Sequence, residues 1–523
     1  MPEVQIDIND VASVGVIRDT PPHEIPPEAW TLAENVRFED QSVVRLDGET
    51  SVFGTPTIPP YFAQYLSTPT KPWWLYAGLH KIIAYDGNTH FDITRTTDGA
   101  TYSTSDASQL NGTILGGIPI INNGVDVPQF WGAYLGTTHM ANLTNWPSTL
   151  RCRVLRSFGP YLMALGITDT GVIQPNDVRW SQPADPGFVP TSWDITDPTK
   201  NAGQVSLPDV DSGQILDGLP LQGKFYVYKE NSTWRFRNVG GQFIFDEDAF
   251  LETTGLLAPR CVALTGDGQR QFFAGQDNIY THDGNSAKPL LTRRNQRYLY
   301  NQIDVSNFGL SFVFVNPVRQ EGWFCYPSQG SAVVNRALVV NYDTLAATEA
   351  DVDFVHATMG TIETSDAETW ATVTGAWTDD TQPWNVSNRR KLLLSKPVGT
   401  LLSQFDLGTT RDGTAYTGTV QRTSLGMVGR NRKTGDWIVD FEVRKMCHRI
   451  WPKMSGGPVN IRIGGQNVPG GPVTWSPYQV FDPNTQKYCD VTAEGAALCI
   501  EINGATSWKL DGYKLDLVTS GRF

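Results

Sequence analysis

The feature that most constrains the fold of this chain is a series of Asp-Gly and Asn-Gly pairs spread along its 523 residues. These pairs accept the positive φ angles of tight type I′ turns, so each is expected to join two neighbouring antiparallel strands. Asp-Gly begins at Asp47, Asp86, Asp98, Asp217, Asp267, Asp283, Asp412 and Asp511, and Asn-Gly begins at Asn111, Asn123 and Asn503. The series predicts an all-β chain built from many short hairpins.

The segments between these turns have the hydrophobic patterns of strands. Trp437, Val439, Phe441 and Val443 share one face and alternate with the mostly polar residues 438, 440, 442 and 444 on the other, which predicts one half-buried strand. Residues 311–315 are apolar on both faces, which is typical of a strand that is buried on both sides. No stretch carries a helical apolar stripe of ten or more residues, so helices are expected to be few.

An internal repeat indicates which all-β architecture these strands form. Residues 76–88 align without gaps to residues 273–285, sharing Ala, Gly, Ile, Asp, Gly and Asn, and residues 224–236 are a looser relative. Each copy is predicted to be a strand, a turn and a second strand. The offset of 197 residues corresponds to about four propeller blades of roughly 40–50 residues each. The sequence therefore predicts a β-propeller of about six to eight blades.

Three regions are predicted along the chain. Residues 1–60 are expected to form an N-terminal arm and the first strands, and residues 61–421 the propeller. Residues 422–523 have their own strand pattern and Gly-Gly turns, which predicts a C-terminal β-rich domain. This domain is either sandwich-like or a modified final blade.

Charge and cysteine usage limit the classes of function. The net charge of −13 argues against a conventional nucleic-acid binder, which presents a basic face to phosphate, although an acidic wall would let DNA slide past. The same charge is also what simple solubility requires. The six cysteines are far apart and lack zinc spacing, so we expect buried free thiols. No metal or cofactor is predicted, and neither a signal peptide nor a membrane span of about 20 apolar residues is expected.

Catalytic patterns are weak in this sequence. It contains neither a Gly-x-Ser-x-Gly nucleophile elbow nor a phosphate-binding Gly-x-x-x-x-Gly-Lys-Ser/Thr loop, and its seven histidines are scattered. The densest acidic group, residues 246–248, is interpreted as a solvated or interfacial loop in preference to a catalytic pair. The sequence therefore favours a non-enzymatic protein with no catalytic residues.

Four ordered segments resemble a family of short-tailed bacteriophage virion proteins. They are residues 25–38 with 43–48, residues 122–131, residues 177–186 with Trp193 and Ala202-Gly203, and Gly255 with Ala258-Pro259. Together they resemble the tail nozzle proteins of podoviruses, also called tail tubular protein B, and the related packaged-DNA stabilisation proteins. The resemblance extends to about Gly284, and the order of the segments is more specific than any one of them.

This resemblance implies a structural virion protein assembled in the host cytoplasm into the viral tail. It implies a homohexameric ring below the portal and its adaptor, with tail fibres or spikes as further partners. Genomic DNA would be retained by this ring and then pass through it during genome ejection, without sequence specificity. The alternative is a receptor-binding or glycan-cleaving propeller of the phage tail.

Short basic clusters are the candidate contacts with DNA or with the adaptor ring. An isolated basic run is more often a solvated surface, and the hypothesis assigns these residues to contact loops within an otherwise acidic tube. The candidates are Arg430, Arg432, Lys433, Arg293, Arg294 and Arg297.

Overall fold

The chain is all-β in the computed structural model, with half of its residues in strands and 3% in helices. The structure describes residues 3–96, 101–207, 213–241, 243–291, 294–362, 390–431, 433–434 and 436–522. The all-β prediction is therefore confirmed. The first 60 residues, predicted as an arm with first strands, contribute five strands, of which four pair with distant parts of the chain and the third pairs with the fourth. These are β1 (Glu3–Asn9), β2 (Leu32–Glu34), β3 (Val36–Glu39), β4 (Ser42–Arg45) and β5 (Glu49–Ser51).

The middle of the chain forms a succession of four-stranded antiparallel units. Unit one is β6 (Phe62–Ser67), β7 (Pro72–Ala77), β8 (Ile82–Tyr85) and β9 (His90–Asp92); unit two is β10 (Asn111–Leu115), β11 (Ile118–Asn122), β12 (Gln129–Phe130) and β13 (Ala141–Asn142). Unit three is β14 (Arg151–Phe158), β15 (Tyr161–Asp169), β16 (Val172–Trp180) and β17 (Gly203–Ser206). Unit four is β18 (Ile215–Leu221), β19 (Lys224–Lys229), β20 (Thr233–Asn238) and β21 (Phe245–Leu251).

Three further units complete the succession, and the last of them takes its fourth strand from the N-terminal segment. Unit five is β22 (Val262–Leu264), β23 (Gln271–Ala274), β24 (Ile279–His282) and β25 (Ala287–Pro289), and helix α1 (Gln296–Gln302) follows it. Unit six is β26 (Phe312–Asn316), β27 (Glu321–Tyr326), β28 (Arg336–Asn341) and β29 (Ala347–Asp351). Unit seven is β30 (His356–Gly360), β31 (Lys391–Lys396) and β32 (Leu401–Phe405), and β5 pairs with β32 as its fourth strand.

The first strands of the seven units contact one another in cyclic order. Contacts run from β6 through β10, β14, β18, β22 and β26 to β30, and β30 contacts β6 again. Buried apolar clusters fill the spaces between neighbouring units, including the space between units seven and one. A four-stranded sheet buries its two faces against two neighbours in this arrangement, which explains why β26 is buried at every position.

The internal repeat found in the sequence occupies equivalent places in these units. Residues 76–88 span the end of β7 and β8, and residues 273–285 span the end of β23 and β24, the second and third strands of units one and five. The looser copy, residues 224–236, lies on the second and third strands of unit four. The two strong copies are thus four units apart, in agreement with their spacing.

Most of the remaining strands form two sheets that share one hydrophobic core with units four to six. One sheet runs in the order β29-β2-β35-β43-β39, so it continues unit six; the other runs β3-β4-β44-β38-β42, and β1 pairs with β44. The short strands Thr410–Arg411 and Thr414–Ala415 extend the sheet of unit seven, and the strands Met427–Arg430 and Trp437–Val439 form a separate two-stranded hairpin. The strands are β33 (Thr410–Arg411), β34 (Thr414–Ala415), β35 (Gly418–Leu425), β36 (Met427–Arg430), β37 (Trp437–Val439), β38 (Val443–Gly456), β39 (Val459–Gln466), β40 (Thr474–Trp475), β41 (Gln479–Phe481), β42 (Cys489–Gly495), β43 (Ala497–Gly504) and β44 (Trp508–Arg522).

One predicted strand is interrupted. The alternation from Trp437 to Val443 was expected to form a single strand, but β37 ends at Val439 and β38 begins at Val443. Between them the Asp440 carboxylate accepts a hydrogen bond from the Glu442 backbone N–H at 2.8 Å, which is a local turn that competes with strand pairing. Val439 consequently lies 51% exposed.

The cysteines agree with the sequence analysis. All six cysteines are free and buried, including Cys489 and Cys499. Among the residues that the structure describes, no helix is long and apolar enough to cross a membrane.

The buried imidazole of His282 predicts an acid-sensitive stability. Its ring contacts Tyr228 and Gln271, the Gly284 N–H donates to Nδ1 at 3.2 Å, and burial lowers the pKa of His282 to about 4 from an ordinary 6.5. At pH 7 the imidazole is neutral in the folded and the unfolded chain. Below pH 6.5 the unfolded chain takes up a proton that the folded chain refuses, so stability falls with pH.

Between pH 7 and pH 5 we expect the wild type to lose about 2 kcal/mol of unfolding free energy through His282. We expect His282→Gln to abolish this loss. Urea unfolding of both proteins at the two pH values measures the difference. His23→Gln is the control, because the His23 side chain is 37% exposed. Equal acid sensitivity of wild type and His282→Gln would contradict the prediction.

Candidate functional site

The first predicted basic cluster lies at the tip of a hairpin that pairs with no other strand among the described residues. Arg430 ends β36, and its guanidinium lies 4.0 Å from the centre of the Trp437 ring on β37. Lys433 is exposed in the turn, where its backbone N–H donates to the Asn431 side chain at 2.9 Å. Arg432 lies outside the described residues. The hairpin therefore presents positive charge at its end, and the exposed Ile438 belongs to its second strand.

The second predicted cluster lies at the start of α1, on a different element. Arg294 and Arg297 are both exposed. The Arg294 carbonyl accepts hydrogen bonds from the backbone N–H groups of Arg18 and Asp19, and the Arg297 N–H donates to the Asp19 carboxylate at 2.8 Å. Arg293 lies outside the described residues. The structure thus groups each cluster locally on its own element, α1 or the hairpin.

A third group of cations, which sequence reasoning missed, lines a cavity of about 280 Å³ between the four-stranded units. The cavity lies where the chain enters the first strands of units two to five, β10, β14, β18 and β22. Its lining is rich in polar side chains and contains more arginines than carboxylates. The charged residues are Arg151, Arg153, Arg156, Arg260, Asp106 and Asp217.

Arg156 and Asp217 form the most tightly bonded ion pair of this cavity. Arg156 Nε and Nη2 donate to the two Asp217 carboxylate oxygens at 3.0 and 2.9 Å, and Nη1 donates to the Gly112 carbonyl at 3.0 Å. Asp217 is 1% exposed, and it also accepts the Gly218 N–H at 2.7 Å. This bidentate ion pair joins units two, three and four, and the opposite charges of its two partners neutralise each other.

Arg153 and Arg260 hydrogen-bond only to carbonyl groups among the described residues. Arg153 Nη1 donates to the Ile215 carbonyl at 3.4 Å, while the two Nη atoms of Arg260 lie 3.5 Å from the carbonyls of Val355 and Leu310. Arg260 Nε is buried without a hydrogen-bond partner among the described residues. Burial lowers the pKa of both arginines.

The electrostatic effect of these arginines reaches His356, which begins β30 in unit seven. Burial, followed by the positive charges of Arg260 and Arg156, lowers the pKa of His356 to about 3. Its Nδ1 accepts the Ala63 N–H at 3.4 Å, so the ring is neutral near pH 7. Burial is the first cause of this lowered pKa, and the two arginines add to it because nearby positive charge disfavours a protonated imidazole.

The acidic group at residues 246–248 is not a loop. It lies on β21, where Asp246 pairs with Arg237 at 2.5 Å and Asp248 with Arg235 at 2.6 Å across the neighbouring strand. These cross-strand ion pairs explain the strand, because opposite charges that face each other support sheet pairing. Over the part of the chain that the structure describes, no group of three or more His, Cys, Asp or Glu residues could hold a metal ion.

Residues of the four family-like segments have structural contacts. Trp131 and Trp193 are fully buried, and the Trp193 carbonyl accepts a hydrogen bond from Arg179 at 2.6 Å. The Asn122 amide donates to the Cys152 carbonyl at 3.1 Å and so links units two and three. A Cβ on Gly255 would lie 2.2 Å from the Lys229 carbonyl oxygen, so only glycine fits there. These segments specify how neighbouring units pack.

Comparisons with known proteins give distant structural likenesses. No protein-family model matches the chain, and no curated protein is significantly similar to it. An extracellular domain of a one-component system from B. thetaiotaomicron is 10% identical with a TM-score of 0.36, over 82% of this chain and 47% of that one. PorZ, a surface component of the type-IX secretion system of Porphyromonas gingivalis, is 11% identical with a TM-score of 0.34, over 82% and 46%.

A third similar structure is Hsv2 from Kluyveromyces lactis, at 8% identity and a TM-score of 0.33, over 55% of this chain and 85% of that one. The chain spans about half the length of the two bacterial structures. Likenesses at this level carry no argument about function.

Proposed function

We propose that this chain is a non-enzymatic structural subunit of the tail nozzle of a short-tailed bacteriophage. In this proposal the seven units are the blades of a β-propeller that β5 closes, and copies of the chain form a ring of six below the portal and its adaptor. The ordered segments that resemble the nozzle family support this assignment, together with the packing roles of their residues. The protein would assemble in the host cytoplasm and reside in the virion tail.

The observation that carries the assembly proposal is the β36–β37 hairpin. A hairpin without a further strand is marginally stable in water, and this one leaves Ile438 47% and Val439 51% exposed. It also presents Arg430 and Lys433 at its end. An exposed apolar strand with a charged tip is suited to a contact with another protein chain, where the apolar residues become buried and the charges select the partner.

The size of the cavity supports a conduit between subunits instead of one through each subunit. A DNA duplex about 20 Å wide, with a rise of about 3.4 Å per base pair, occupies roughly 1,000 Å³ per base pair. The cavity between the four-stranded units measures about 280 Å³. DNA would therefore pass along the axis of a ring of chains, and the net charge of −13 per chain would keep it from adhering to the wall.

A charge reversal on the hairpin tests this function. We expect Arg430→Glu, Arg432→Glu and Lys433→Glu, introduced together, to reduce the yield of DNA-filled virions at least about tenfold while the purified chain keeps its thermal stability, since surface substitutions change stability by about 0.5 kcal/mol or less. Nuclease-protected genome per particle, together with negative-stain images of tails, measures the effect.

The matched control reverses three exposed lysines that lie on separate elements, Lys200→Glu, Lys288→Glu and Lys487→Glu, with the same change in net charge. This control should yield filled virions at the wild-type level. Normal genome retention by the hairpin variant would refute the role of this cluster. A trimer at the receptor end of the tail would favour the alternative, a receptor-binding or glycan-cleaving propeller.

A further inference from the structure

We propose that the arginine-lined cavity between the units of one chain binds a small phosphate-class oxyanion between Arg153 and Arg260. The two arginines belong to units three and five, so an anion between them would bridge non-adjacent units across the cavity. This inference is independent of the nozzle role, because it depends only on the lining of the cavity.

The balance of charge in the cavity favours an anion. Its lining contains four arginines and two aspartates. The two oxygens of Asp217 accept the fork of Arg156. The other carboxylate, Asp106, accepts hydrogen bonds from its own turn, at 2.8 Å from the Ser108 N–H and 3.3 Å from the Gln109 amide. Glu230, which lies outside the lining, also acts on the charge of Arg153, so the four arginines are balanced by three carboxylates and one excess positive charge is left in a chain of net charge −13.

The hydrogen-bond donors of Arg260 are incompletely used. Its Nη contacts are at the limit of hydrogen bonding, and its buried Nε has no described partner. A buried donor left unpaired is costly, and an oxyanion would satisfy it with a charge-assisted hydrogen bond.

The shape and the neutral lining of the cavity define the size of the ligand. Guanidinium groups match the tetrahedral oxygens of phosphate, and the side chains of Ser108, Gln109 and Gln214 add neutral hydrogen-bonding groups. A volume of about 280 Å³ admits phosphate or pyrophosphate and excludes a nucleic-acid duplex. The ligand class is therefore a free phosphate species.

Calorimetric titration of the full chain with inorganic phosphate and with pyrophosphate, at an ionic strength fixed with chloride, tests the site. We expect saturable binding to the wild type that weakens at least about tenfold in Arg153→Gln and in Arg260→Gln, the effect of losing one charge-assisted fork. Arg449→Gln is the control, because Arg449 lies on β38 and pairs with Asp490. It should bind like the wild type.

Arg153→Lys and Arg260→Lys keep the charge and lose the fork, so they should bind with intermediate affinity and guard against misfolding of the glutamine variants. Equal binding by wild type and both glutamine variants would overturn the proposal, as would no binding by the wild type. A 5′-phosphorylated single-stranded oligonucleotide is the third titrant. Binding of the oligonucleotide without binding of either free phosphate would also overturn it.

Discussion

Arg37→Met is expected to lower the free energy of unfolding by about 3–5 kcal/mol, the cost of leaving buried carboxylates without their cation. Arg37 is 2% exposed on β3, and its guanidinium binds Glu321 at 2.6 Å and Asp406 at 2.9 Å. Burial opposes the charge of Arg37, but these two carboxylates outweigh burial and raise its pKa. The substitution keeps an unbranched apolar stem and removes the charge together with the hydrogen-bond donors to Glu321 and Asp406.

Denaturant unfolding of wild type and variant, followed by tryptophan fluorescence, measures this loss. Arg319→Met is the matched control, because Arg319 is 29% exposed and pairs with the partly exposed Glu39 and Asp47. A pair of that kind contributes about 1 kcal/mol or less. If Arg37→Met also cost less than about 1 kcal/mol, the buried network would not hold the N-terminal strands to units six and seven.

Thr50→Pro is expected to destabilise the chain by about 3 kcal/mol, because it breaks the strand that completes unit seven. The Val52 N–H donates to the Leu402 carbonyl at 2.8 Å, and alternation in the antiparallel ladder directs the Thr50 N–H to Gln404, its partner in the register. Proline removes that donor and leaves the carbonyl of Gln404 unpaired.

Thr50→Ala provides the control for this substitution. It retains the backbone N–H and loses only the hydroxyl hydrogen bond to the Leu407 carbonyl at 3.1 Å, which is worth about 1 kcal/mol. Limited proteolysis gives a second measurement, since an unclosed unit seven should release residues 49–51 to cleavage before the other strands. Equal stability of the two variants would show that closure by β5 contributes little.

The strand content and the repeat were predictable because both depend on short-range chemistry. Asp-Gly or Asn-Gly pairs lie in turns between paired strands at Asp86, Asn123, Asp267, Asp283 and Asp412. The pairs at Asn111, Asp217, Asn503 and Asp511 lie within strands, and the pair at Asp47 lies between strands that do not pair with each other, so the turn prediction was wrong for these five. The copies at 76–88 and 273–285 carry the same turns to equivalent hairpins. The interruption between Val439 and Val443 was missed, because an apolar alternation does not reveal that the Asp440 carboxylate accepts the Glu442 N–H in a local turn.

For the candidate sites too, prediction from sequence depended on how close the residues lie along the chain. Arg430 and Lys433 are found together because they are near in sequence, and the structure keeps them at one hairpin tip. Arg153 lies in a short basic run with Arg151 and Arg156 that the sequence analysis did not select, whereas Arg260 is isolated and lies more than 100 residues further along the chain. A weak signal existed in their common position near the start of a first strand, but it could be used only once the units had been aligned.

The sequence by itself determined the all-β class and the recurrence of one hairpin, because turn propensity and alternation act between residues that are close along the chain. Only the tertiary structure decided that β5 completes unit seven, that Arg37 pairs with Glu321, and that Arg153 and Arg260 share a cavity. Those contacts join residues separated by about a hundred to several hundred positions. They exist because burial between neighbouring units, which no local pattern encodes, brings these residues together.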